Sequence, residues 1–119
     1  MEVNEMKKEI IEFLDKYGNA SFVELERIDG FLDESKNKED SSEYFGNVEF
    51  NIYWWVNVSD AAIKALNELK REETIKLSPC NFLIYAHDGK ILNLPIAKRI
   101  RKYKKPRWIP VEIKLLRKS

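Results

Sequence analysis

Apolar positions recur along the chain with two periods, and each change of period marks an element. Met6, Ile10, Phe13, Leu14 and Tyr17 fall on one face of a 3.6-residue repeat. They predict a helix over 5–17, with Asn4 as N-cap and Gly18 as its stop. Ser21 and Glu24 stand three residues apart ahead of a second apolar set, the spacing of a capping box. A short helix from Phe22 to Asp29 is expected there, with Phe22, Leu25 and Ile28 inward and Gly30 closing it. Residues 33–43, DESKNKEDSSE, carry no apolar side chain and read as a charged, solvated loop. The period then falls to two. Val48, Phe50, Ile52, Trp54 and Val56 alternate with Glu49, Asn51, Tyr53, Trp55 and Asn57, which predicts a strand over 47–57 with the first set facing the core. Tyr53 and Trp55 are thereby placed on the opposite face, to pack under the chain's own loops before lining a partner surface or stacking on bases.

Helical spacing returns after Ser59. Ala62, Ile63, Leu66 and Leu69 form an inner stripe, and a helix over 60–71 is predicted. A short strand over 74–77 follows. Phe82 to Tyr85 and Ile91 to Leu94 flank Asp88-Gly89, a dipeptide suited to a type I′ turn, so residues 81–94 read as a hairpin with His87 exposed at its tip. Pro95 and Pro106 bracket a further short helix whose inner face would be Ile96, Ile100 and Tyr103. Trp108, Ile109, Val111, Ile113 and Leu115 suggest a last strand.

Charge changes the picture more than composition does. The net charge of +1 conceals a polarity: residues 1–60 hold fifteen acids and six bases, or −9, and residues 61–119 hold five acids and fifteen bases, or +10. Seven of the ten residues in 98–107 are basic: Lys98, Arg99, Arg101, Lys102, Lys104, Lys105 and Arg107. Lysine and arginine at this density neutralise phosphates, and arginine adds a planar fork for paired contacts. Tyr103 and Trp108 are interleaved aromatics of the type that stacks on bases. Lys64, Lys70 and Arg71 on the 60–71 helix and Lys90 beside the expected hairpin tip extend the candidate surface. The opposite reading is that the acidic and basic halves neutralise each other across the fold, or between two copies.

Other chemistry is thin. One Cys and one His exclude a disulfide framework and a multi-Cys zinc site. Cys80 has only the distant His87 to activate it, and buried and inert is its default state. No Gly-rich phosphate loop is present, and no catalytic residue, metal ligand or cofactor is assigned. Asp88 with Glu112-Ile113-Lys114 is similar to the D…ExK pattern of metal-dependent nucleases, in which carboxylates hold the metal and lysine positions the attacking water. Glu-x-Lys is common by chance, and this remains a minor alternative. No 18-residue apolar run exists, and the opening MEVNEMKKEI lacks a leader's apolar core. A cytoplasmic protein with no membrane partner is expected.

The order of elements from Ser59 to Leu94 resembles the second half of a winged helix-turn-helix domain. Ser59–Arg71 corresponds to the recognition helix and Phe82–Leu94 to the wing, and the helices at 5–17 and 22–29 would be the first two. The general look is of a small prokaryotic, phage or mobile-element protein. The resemblance implies one α+β domain over 1–119, with three helices, a small antiparallel sheet, a β-hairpin wing and an extra strand. It also implies nucleic-acid binding, to double-stranded DNA before other forms, with the recognition helix in the major groove and the wing on the backbone. The runner-up function is a protein-interaction module or homodimer that uses the acidic and basic faces together with Tyr53 and Trp55.

Overall fold

The computed structural model describes residues 2–36 and 44–116. Most of the expected 33–43 loop, and the basic tail at Arg117-Lys118, lie outside them.

The first helix, α1 (Val3–Tyr17), begins earlier than expected. Glu2 rather than Asn4 is its N-cap, because the Glu2 carboxylate reaches back to accept from the Asn4 N–H at 2.8 Å. A carboxylate there also meets the positive end of the helix dipole. Met6, Ile10 and Leu14 are buried as anticipated, while Tyr17 is more than half exposed and rests against Phe13. Gly18 closes the helix at φ +82.

A two-residue strand, β1 (Ala20–Ser21), leads into α2 (Phe22–Leu25). The capping box is complete: Ser21 Oγ accepts from the Glu24 N–H and Glu24 Oε1 accepts from the Ser21 N–H. Only one turn of helix forms before the chain unwinds in turns to Gly30, shorter than the 22–29 helix expected, yet Ile28 is still buried.

The strand expected over 47–57 is instead a hairpin. β2 (Tyr44–Asn47) pairs antiparallel with β3 (Ile52–Val56) across a turn at 48–51. Val48 and Phe50 fit a period of two by coincidence; Val48 is largely exposed in the turn. The pairing slips between Phe45 and Gly46, so that Trp54 has no partner on β2. That extra residue is a β-bulge, and it reverses the alternation beyond it. Ile52 and Trp55 are therefore both buried, and Trp54 is the half-buried one. The expected assignment of faces is corrected accordingly.

Helix α3 (Asp60–Arg71) forms as predicted under the Ser59 cap and buries Ala62, Ala65, Leu66 and Leu69. It packs on α1, with Lys7 bridging to Glu68 and Glu72 at 3.4 and 2.9 Å. Next come β4 (Ile75–Pro79) and α4 (Leu83–His87). The hairpin expected over 81–94 does not form. Gly89, at φ +86, closes α4 instead of a type I′ turn: its N–H donates to Ala86 O, and the Lys90 N–H donates back to Tyr85 O. Those two bonds are the Schellman ending of a helix. His87 ends α4 and is exposed, as expected of it, though not at a hairpin tip.

The expected last strand is split. β5 (Arg107–Trp108) runs parallel to β3, whereas β6 (Val111–Leu115) pairs antiparallel with both β1 and β4. Pro110, which has no N–H to donate to a ladder, sits at the break. Among the described residues the fold is α+β with four α-helices, a 3-10 turn at Glu34–Lys36 and two three-stranded sheets, ordered β1-β6-β4 and β2-β3-β5. An aromatic core lies where they meet: Trp55 stacks parallel to Phe22 at 6.3 Å and touches Tyr85 and Trp108 at 5.2 and 6.2 Å. The Tyr85 hydroxyl ties this core to the backbone, donating to Val111 O and accepting from the Phe22 N–H.

Candidate nucleic-acid interface

The basic run at 98–107 belongs to an ordered loop with a closed neck. Trp108 N–H donates to Pro95 O and Ala97 N–H donates to Trp108 O, both at 2.8 Å. Such a compact loop with adjoining ends holds its shape by its own contacts. The helix expected between Pro95 and Pro106 is absent, and Ile96 and Ile100, its supposed inner face, are exposed. Helical winding would set Lys98 against Lys102 and Arg101 against Lys105 at i,i+4, where like charges repel. The chain is held open by the β2–β3 turn instead. Phe50 O accepts from the Tyr103 N–H at 3.1 Å, Asn51 Nδ2 donates to Tyr103 O at 2.8 Å, and Asn51 O accepts from the Arg107 N–H at 2.9 Å. Asn51 adopts φ +59, a conformation asparagine tolerates better than most residues.

Tyr103 is the loop's organiser. Its hydroxyl donates to Arg99 O at 2.9 Å and accepts from the Arg99 N–H at 3.2 Å. The Arg101 and Arg107 guanidinium carbons lie 5.0 and 4.9 Å from its ring centre. Partial burial pushes the phenol pKa up, but the Arg99 hydrogen bond and the two guanidiniums outweigh it and leave it below the ordinary tyrosine value. Two clefts open beside the ring. One, about 180 Å³, is lined by Lys98, Arg99, Arg101, Tyr103 and Arg107. The other, about 380 Å³, is lined by Arg101, Lys102, Tyr103, Lys104, Lys105 and Arg107. Among the described residues, the seven bases make one ion pair with a carboxylate, Lys102 to Glu49 at 3.3 Å, and both partners are well exposed.

The remaining candidates separate. Lys64 and Arg71 are exposed on α3. Lys70 is half-buried with its ammonium 4.4 Å over the Trp54 ring, and burial lowers its pKa. Trp54 also lines a small apolar groove, about 90 Å³, together with Leu77, Pro79, Ile109 and Ile100 of the basic loop. Lys90 is elsewhere: its ammonium grips both Glu26 oxygens at 2.8 and 2.9 Å, and Glu26 also accepts from the Trp55 indole at 2.8 Å. That ammonium is thus committed to an ion pair with the acidic half. Trp55, expected to pack within its own chain ahead of serving a protein partner, is fully buried, and Tyr53 stacks on Tyr44 at 3.6 Å. Trp108 is buried too, so it cannot stack on bases.

The nuclease pattern gains no support from the site geometry. Asp88 accepts from buried Ser21 Oγ at 2.9 Å, and no group of three potential metal ligands occurs among the described residues. Cys80 is half-buried, and burial pushes its thiol up to about 11. No helix among the described residues is long and apolar enough to cross a membrane. The sequence reading missed Phe50, Asn51 and Glu49 as supports of the basic loop. Their one signal was a pair of asparagines, Asn47 and Asn51, bracketing what proved to be a turn. No family model, curated protein or solved structure matches this chain.

Proposed function

We propose that this protein binds nucleic acid, double-stranded DNA in the first instance, without catalysing a reaction. The observation that carries the reading is the basic loop: seven cations held in a fixed shape, with one exposed carboxylate partner among the described residues. Cations meant only to balance the acidic half would be paired with it, as Lys90 is with Glu26. Holding this many like charges together costs free energy that the opposite charge of a polyanion offsets, and the counterions it releases favour binding further. In the winged-helix likeness, α1, α2 and α3 followed by β4 keep the helix order, and the backbone contact of the missing wing falls to the loop. Lys64 and Arg71 on α3 add exposed charge.

The test is a gel shift with random duplex DNA at low and high salt. Changing Lys102, Lys104 and Lys105 to Ala is expected to weaken binding to all sequences and to flatten the slope of log K against log salt by about 2.7, at about 0.9 per contact. Unchanged affinity would remove the loop from the interface. A second reading, an acidic protein partner or second copy, draws on Ile100, which is 69% exposed beside an apolar groove. It requires Ile100→Asp to abolish an oligomer seen by light scattering while leaving DNA affinity unaltered.

A further inference from the structure

The seven bases of the loop are not equivalent. Arg101 and Arg107 wall both clefts, and the Tyr103 ring they rest on is the third shared wall. Lys98 and Arg99 belong to one cleft, and Lys102, Lys104 and Lys105 to the other. With two guanidiniums against it, the ring is already occupied and is not a platform for a base. Its hydroxyl is also occupied, bridging the Arg99 backbone on both sides.

We propose that the clefts are two adjoining phosphate subsites divided by Tyr103, that they hold consecutive phosphodiesters of one nucleic-acid strand, and that Tyr103 is a positioning residue for Arg101 and Arg107. This rests on the nucleic-acid reading above. Two anions in clefts that share a wall repel each other; a covalent link that already fixes their spacing meets the cost of bringing them together, and positive charge between them offsets the repulsion. A phosphodiester backbone supplies the link. The shared guanidiniums supply the charge, each with five donors in a planar fork, of which Arg107 uses one on Ile96 O at 3.4 Å. Lys102 must leave Glu49 to take part, and an exposed pair of that kind is weak enough to yield.

The experiment is fluorescence anisotropy with a short labelled DNA strand and its duplex, across a salt series, for Tyr103→Leu and Tyr103→Phe. Neither substitution removes a charge. Tyr103→Leu is expected to weaken binding about tenfold, the scale of one lost charge-assisted hydrogen bond, and to flatten the salt slope by about 0.9. Tyr103→Phe keeps the ring and is expected to keep the slope. If Tyr103→Leu binds within twofold of wild type with an unchanged slope, the cations act as an unordered patch and the proposal fails. Melting curves check folding. Should Tyr103→Leu not fold, the paired Arg101→Lys, Arg107→Lys variant keeps charge but loses the forks, and undiminished affinity in it also overturns the proposal. DNA binding with a wild-type response to every variant would leave the nucleic-acid reading standing and sink the subsites alone. If wild type binds inorganic tripolyphosphate but neither DNA form, the strand assignment falls together with the nucleic-acid reading.

Discussion

Gly46 shows how much a single position decides. It lies opposite the bulge in β3, and a Cβ there would collide with the Ile52 carbonyl oxygen and press on Trp54 N and Tyr53 Cα, both at 3.1 Å. The bulge therefore depends on a residue without a side chain. Gly46→Ala is expected to destabilise the protein by about 1–3 kcal/mol through this overpacking. A denaturant melt checks it, and an unchanged midpoint would mean the hairpin relaxes freely. Cys80 carries a pH prediction. Burial first, and the Glu112 charge second, raise its thiol to about 11, while Lys114 lowers it in part. The folded state thus favours the neutral thiol. The stability this contributes is complete below the unfolded thiol value and is lost as pH rises through about 11. Because the thiolate is the reactive form, iodoacetamide at pH 8 should label native Cys80 far more slowly than the urea-unfolded chain. Equal rates by mass spectrometry would contradict the half-buried placement.

At the scale of elements, residues that suit two structures account for the differences between pattern and fold. Gly89 supplies a positive φ, which a type I′ turn and a Schellman helix ending both need. Tyr85 settles the matter, since as part of α4 its ring enters the core and its hydroxyl reaches Val111 O and Phe22 N. The β2–β3 hairpin was hidden because Val48 and Phe50 kept the period of two through a turn. Trp55 follows from the bulge, and its ring lies against Phe22, Tyr85 and Trp108 with its indole N–H on Glu26. Trp55→Ala is expected to cost about 3–5 kcal/mol, and to alter binding or mass only through unfolding. A variant that keeps wild-type stability but changes mass in solution would place Trp55 at an interface instead.

Across the whole molecule, the opposed charges of the two halves are partly reconciled by long-range pairs. Lys90 meets Glu26, Lys102 meets Glu49, and Lys7 runs the other way to Glu68 and Glu72. Much of what is left over, besides Lys64 and Arg71 exposed on α3, collects in the loop between Pro95 and Trp108. Its bases contribute little to holding the fold, because exposed pairs are weak and like charges repel. The Lys102, Lys104 and Lys105 to Ala variant is thus expected to melt no lower than wild type while its DNA affinity falls. A lowered melting temperature would mean that these lysines serve the fold.

Local physics was legible in the chain. The Met6–Ile10–Leu14 stripe of α1, the stripe of α3, the Ser21–Glu24 capping box and the Ser59 cap are each set by neighbours within four residues, and they stand where the pattern puts them. The site residues Lys98 to Arg107 were legible as composition, and their arrangement was not. Tertiary contact decided the rest. The turn at Phe50-Asn51 holds the loop open, Tyr103 gathers its arginines, and Pro110 sends the last strand from one sheet to the other. The hold on the loop depends on a turn some fifty residues away, and the strand's switch depends on the sheet available to receive it; Tyr103 meets Arg101 and Arg107 within four residues, but in a non-helical loop whose shape sequence spacing does not express.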